Sequence, residues 1–174
     1  MKPAKRLTSM IVYGCLIIII GMAAAAGIWY QQTEPLNTDG LSTFTPPDGK
    51  PPEYVVGLVN KGFRKIDIVS VTINGASPSV PVQLGITYDS GQFVQVMPEP
   101  VPEIEFMGIH DSSIYPALAG DELKKAIMKK AHTPILYGIR FSAEEGSVHS
   151  VTVKYKYLGF TKKLTVTRWF DNNR

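Results

Sequence analysis

No charged residue occurs between Arg6 and Glu34. Met10–Tyr30 forms an apolar run of roughly 21 residues, about 31 Å as a helix at the usual rise. That length matches a hydrocarbon core of about 30 Å, in which a helix satisfies its own backbone polar groups. Trp29 and Tyr30 close the run, where aromatic rings favour the headgroup layer. The competing reading is a cleaved signal peptide, with Lys2, Lys5 and Arg6 ahead of the run and Ala24-Ala25-Ala26 as a small-residue cleavage site. Apolarity continues past that site through Ile28, Trp29 and Tyr30, so the expectation is an uncleaved transmembrane anchor at 10–30. Cys15 lies near the start of the run, whereas a lipid-modified cysteine belongs at its end. Three basic residues precede the run and none follows until Lys50. The positive-inside rule then predicts a cytoplasmic tail over 1–9 and an extracytoplasmic remainder in either reading.

Pro35, Pro46, Pro47, Pro51 and Pro52 punctuate residues 31–53, which read as a Pro-rich linker without regular structure. Residues 54–174 are then long enough for one domain with its own core. Cys15 is the single cysteine, so no disulfide scaffold supports that domain. No Asn-x-Ser/Thr acceptor site occurs either. The net charge is +3. Acidic residues dominate 31–114 and basic residues dominate 115–174, which offers an anionic surface a basic half to touch, or leaves a solvated face.

The period after Tyr54 is mostly two. "ILYGIRF" puts Ile135, Tyr137, Ile139 and Phe141 on one face, and "VTVKYKY" puts Val151, Val153, Tyr155 and Tyr157 inward with Lys154 and Lys156 outward. "VQLGITY" alternates in the same way. In "KIDIVSVTING" the inward parity changes between Ile68 and Val69. Either a β-bulge or a strand bent to serve two sheets would account for that. Asn74-Gly75 predicts a turn. One hairpin is expected to join Val82–Tyr88 to "FVQVM" through Asp89-Ser90-Gly91, and another to join "VTVKYKY" to "KKLTVTRWF" through Leu158–Thr161. With "YVVGLVN" and "EIEFMGI" there are about eight short strands. The predicted fold class is mostly β: an antiparallel, immunoglobulin-like β-sandwich with one short inserted helix. That helix is "AGDELKKAIMKKAHTP", with Asp121 as N-cap, Pro134 as its stop, and Leu123, Ala126 and Ile127 on one face. It is expected to lid one end of the sandwich.

Chemistry-bearing motifs are sparse. "GIHDSS" supplies His110, Asp111, Ser112 and Ser113, every residue type of a hydrolase triad, but neighbours on one extended segment point to alternate sides. An Asp-Ser-Ser cluster reads first as a turn. His110, His132 and His149 lack metal-ligand spacing, and Glu103 with Glu105 offers too few oxygens for calcium. No Gly-rich phosphate loop and no nucleic-acid motif is present. Neither cofactor nor metal is expected, and no catalytic residue is assigned.

"LVNKGFRKIDIVSVTING" and "YGIRFSAEEGSVHSVTVKYKYLGF" resemble segments of small single-pass membrane proteins of Gram-positive spore-forming bacteria. That resemblance implies a bacterial cell-surface location and no activity. The expected function is a non-catalytic, membrane-anchored envelope module that binds an envelope protein or an anionic wall polymer, not nucleic acid. The alternative is an envelope enzyme, or its accessory, with a site around His110 and Asp111. Lys154, Lys156, Lys162, Lys163 and Arg168 are the residues expected to touch an anionic surface.

Overall fold

The computed structural model describes residues 13–22, 24, 25, 27, 33–97 and 101–170. Residues 13–22 are helical, and Ile17, Ile18, Ile19 and Ile20 are exposed on them. Among the described residues no helix is long and apolar enough to cross a membrane. The basic tail 1–9 and positions 10–12, 23, 26 and 28–30 of the expected anchor lie outside the described residues.

From Pro35 onward the chain forms one compact unit. Its strands are β1 (Leu36–Phe44), β2 (Glu53–Asn60), β3 (Asp67–Ile73), β4 (Gln83–Tyr88), β5 (Ile104–Gly108), β6 (Pro134–Ser142), β7 (Val151–Tyr157) and β8 (Phe160–Val166). They build two antiparallel sheets, a five-stranded one in the order β1-β2-β6-β4-β5 and a three-stranded one in the order β3-β7-β8. This mostly β architecture is compatible with a β-sandwich.

Alternation decides which face is buried. Ile135, Tyr137, Ile139 and Phe141 are buried along β6, and Val151, Val153, Tyr155 and Tyr157 along β7. Burying an aliphatic or aromatic side chain of this size contributes about 1.5–3 kcal/mol, so a one-residue slip of either strand is costly. Tyr54 stacks on Phe141 at 5.5 Å and meets the edge of Phe170 at 6.4 Å. The parity change in β3 is a bulge: the β3–β7 register shifts between Ile68 and Ser70, and Ile66, Ile68 and Val71 are all buried. Asn74-Gly75 and Leu158-Gly159 have positive φ throughout, the geometry of two-residue turns that match strand twist. The second of these joins β7 to β8 with Tyr157 opposite Phe160, so the turn is shorter than the expected Leu158–Thr161 and Phe160 and Thr161 belong to β8.

Three further expectations fail. Residues 31–53 are not a structureless linker, because Leu36–Phe44 is the edge strand β1, paired with β2 along its length. Pro35 precedes this strand and the other four prolines lie in the β1–β2 loop, and Asp39-Gly40 is a bulge between Thr38 and Gly40. The folded unit therefore begins at Pro35 and not at the expected boundary of residue 54. The hairpin from Asp89 to "FVQVM" does not form either: residues 91–97 pair with no strand, and β4 pairs instead with β5 and β6. Finally, the helix Gly120–Lys129 is capped at Ala119 without a side-chain hydrogen bond, so Asp121 sits in the first turn rather than at the cap. Leu123, Ala126 and Ile127 do form its less exposed face, although none is fully buried.

Candidate functional site

The "GIHDSS" segment is a turn after β5 whose polar groups are bound to the fold. Asp111 Oδ2 accepts from the Gly108 amide at 2.9 Å. Ser113 Oγ donates to Asp67 Oδ1 at 2.6 Å, and Lys65 Nζ reaches both Ser113 Oγ (3.3 Å) and Asp67 Oδ1 (3.4 Å). His110 Nδ1 lies 3.1 Å from the Ile68 carbonyl oxygen. That oxygen can only accept, so Nδ1 is the donor in this contact. The triad-like residues do not form a relay, since the serine hydroxyl turns to a carboxylate on β3 and not to the imidazole. They do line a depression of about 550 Å³ together with Lys65, Asp67 and Lys156.

His132 and His149 serve elsewhere. The His132 ring stacks on Tyr88 at 3.8 Å, its amide donates to Asp89, and its Nε2 lies 3.6 Å from Glu105 on the edge strand β5. Two such backbone donors, from His132 and Thr133, hold the Asp89 carboxyl below the usual carboxylate range. The His149 amide donates to Asn74 Oδ1 at 2.7 Å. Among the described residues no group of three His, Cys, Asp or Glu side chains is placed to hold a metal.

The expected basic patch is partly assembled. Lys154 stands directly opposite Lys163, and Lys156 opposite Thr161. With Ser70 and Asp67 on β3 they form a polar outward face, and Thr152 and Thr165 join it through a 3.1 Å hydroxyl contact. Two of the five cations depart from expectation. Lys162 pairs with Tyr155 and so shares the parity of the inward residues, not of Lys154. Arg168 lies past the end of β8, at the opposite end from Lys156, and its guanidinium stacks 4.1 Å from the Trp169 ring centroid.

The second feature of note, which sequence reading missed, lies on the other sheet. Register places Gly57, Gly138 and Gly85 side by side across β2, β6 and β4, with Gly40 of β1 opposite Gly57. Glycine within a strand weakens it and marks a close approach of other chain. Here the approach is real. A Cβ on Gly138 would stand 2.7 Å from Val55 Cγ1 and 3.2 Å from Val94 Cβ, and one on Gly85 would stand 2.5 Å from Val94 Cγ1. The unpaired segment 91–97 thus lies as a strap over the glycine row, with Val94 buried in it and Phe93 left 64% exposed.

Between the strap and β1 opens a cleft of about 360 Å³. The β1 bulge turns the Asp39 carboxylate onto this face, over Gly57, where a Cβ would collide with it. Desolvation raises the Asp39 pKa above the ordinary carboxylate value, against a smaller opposing effect of its own backbone amide. Tyr137 borders the cleft but shares the core-facing parity of Ile135 and Ile139; burial pushes it up to about 12, and its hydroxyl accepts from the Tyr115 amide at 3.1 Å. The available signal was a glycine at the centre of each of "YVVGLVN", "QLGITY" and "ILYGIRF".

No family model matches the chain, and comparison with curated proteins and with solved structures finds no significant match.

Proposed function

We propose that the chain is a non-catalytic, single-pass envelope protein whose immunoglobulin-like domain, outside the cell, docks on an anionic surface of lipid headgroups or phosphate-bearing polymer. The length and aromatic end of Met10–Tyr30 support the anchor, and the basic residues before it support a cytoplasmic N-terminus. Strand order supports the immunoglobulin-like reading. The order β1-β2-β6-β4 alongside β3-β7-β8 follows the A-B-E-D and C-F-G arrangement of constant-type domains, with β5 added beyond β4.

The observation that carries the docking is the Lys154–Lys163 pair. Two like charges directly opposite one another on neighbouring strands destabilise a sheet, by roughly 0.2–1 kcal/mol on the usual scale of such pairs. With Lys156 beside them, three ammonium groups share one outward face free of apolar side chains at its register-paired positions. Each contributes at most about 1 kcal/mol near an anionic membrane, screened within about 8 Å at physiological salt. The result is weak, salt-sensitive association, sufficient to orient a tethered domain.

Co-sedimentation of residues 35–174 tests this. The domain should pellet with anionic but not neutral vesicles at low salt, or bind polyphosphate beads, and lose that binding in Lys154→Glu/Lys156→Glu. Equal behaviour of the two proteins refutes the docking. The enzyme reading around His110 and Asp111 has one observation in its favour, the depression that brings His110 together with Lys65, Asp67 and Lys156. Ester or phosphoester turnover abolished by His110→Gln would establish it.

A further inference from the structure

We propose that the glycine-floored cleft of the five-stranded sheet is a second binding site, selective for an alkylammonium group, with Asp39 as the counter-ion and Phe93 as the wall over its stem. This site is independent of the lysine face and of opposite charge preference.

Four observations converge on it. The first is the cleft itself, about 360 Å³ and within the size range of small-ligand sites (roughly 300–1,000 Å³). The second is the placement of Asp39. A bulge in an edge strand re-aims this one side chain, and Gly57 beneath it leaves room for the carboxylate. The third is charge. Asp39 is the one charged residue among the cleft's lining, which has no lysine, arginine or histidine to pair with it. No described basic side chain forms an ion pair with it. Asp39 is itself an exposed residue, but its carboxylate lies over Gly57 at the cleft and offers an entering cation one negative charge with no competing positive one in the lining. Partial desolvation also raises the Asp39 pKa, with no cation beside it to lower it. The fourth is the roof. Phe93 is 64% exposed, while its neighbour Val94 is buried against the glycine row and fixes the strap. Val55, Leu136 and Val94 make the remaining walls largely apolar.

Each ligand feature follows from a wall. The carboxylate selects positive charge. The apolar walls select a hydrocarbon stem in place of a fully hydrated ion. Phe93, as an exposed ring beside the cleft, adds the attraction of an aromatic face for an ammonium. An anionic ligand is rejected by Asp39, and a neutral one leaves the carboxylate unpaired. Mid-strand glycines on β2, β6 and β4 weaken the sheet. They are tolerated here because they lower the floor so that the strap can seat.

The test is a titration of the full, ¹⁵N-labelled chain in uncharged detergent with n-butylammonium, and with n-butanol as the neutral isostere. Butylammonium should produce saturable shifts centred on the Gly40, Gly57 and Gln95 amides, and bind at least about tenfold tighter than butanol. Asp39→Asn, which is nearly isosteric, should weaken butylammonium binding about tenfold or more and leave butanol binding unchanged. Phe93→Ala removes only an exposed ring and should weaken it about threefold. Lys154→Glu, on the other sheet, should leave it unaltered. Equal binding of the two probes, shifts that survive in Asp39→Asn, binding indifferent to Phe93→Ala, or shifts spread over other carboxylates would each overturn the proposal.

Discussion

The two sheets differ in how they use their outer faces. The three-stranded sheet leaves its face in water and covers it with Ser, Thr, Asp and Lys. β7 and β8 read as clean alternation because only one side is buried, and β3 does so on either side of its bulge. The five-stranded sheet is buried on both sides at its centre: Leu84, Gly85, Ile86 and Thr87 are consecutive buried residues in β4. One side meets the core and the other meets the strap. A face in water can hold charges at little cost, whereas a face under a strap can hold only what fits. Substitutions on the first face should therefore act on binding, and those on the second on stability.

The largest expected contrast is Gly138→Val against Thr152→Val. The new methyl groups at 138 meet Val55 and Val94 with no room to move, so a loss of about 3 kcal/mol in urea unfolding is expected. Thr152→Val on the open face should change stability by less than about 0.5 kcal/mol. Similar losses at both positions would erase the distinction between the sheets.

A smaller effect sharpens it through pH. Asp39 has a raised folded-state pKa, so ionising it opposes folding. Stability from this group is greatest in acid and falls as pH rises from the ordinary value of 3.8 through the raised one. Asp39→Asn removes that fall and should be the more stable protein at neutral pH. Asp89, whose pKa is lowered by the His132 and Thr133 amides, acts oppositely: its contribution is present above 3.8 and is lost as pH drops through its folded value. Chemical denaturation of both proteins from about pH 2 to about pH 8, which brackets the ordinary carboxylate values near 4 on both sides, separates the two groups.

The smallest effect falls on the open sheet. Lys163→Glu turns a like-charge pair with Lys154 into an opposite-charge pair and should raise stability by about 0.5 kcal/mol. The same change should reduce binding to anionic vesicles. A gain in stability with no loss of binding would place the docking surface elsewhere.

This contrast also explains what could be read in advance. β6 and β7 were legible because Ile135–Phe141 and Val151–Tyr157 alternate without interruption, and the β3 bulge because a parity change between Ile68 and Val69 has few other causes. β1 was hidden by the prolines around it: Leu36–Phe44 carries few large apolar residues and a Gly at its bulge, so it reads as coil until β2 is beside it. The cleft was illegible for a related reason. Gly57, Gly85 and Gly138 are far apart in sequence, and only the β2–β6–β4 register makes them one row. The lysine pair needed the exact turn: with Leu158–Thr161 as the loop Lys154 would face Thr165, and the two-residue turn at Leu158-Gly159 brings Lys163 opposite it. Lys162 lies on the hairpin partner beside Lys163, but adjacent residues of a strand face opposite sides.

Strand order also sets the timetable on which the domain can form. Asn60 closes β2 and Pro134 opens β6, yet these strands are neighbours in the sheet. A chain made from its N-terminus completes β1 and β2 early, and then must wait through β3, β4, β5 and the helix. During that wait the inner edge of β2 has hydrogen-bonding groups without partners, and Val55 and Val56 have no cover. Non-local pairing of this kind slows folding and leaves open edges that associate with other chains. The β7–β8 hairpin faces no such delay, because a turn of two residues closes on the scale of about 1–10 μs. The strands made first stay vulnerable until β6, made late, is inserted between β2 and β4.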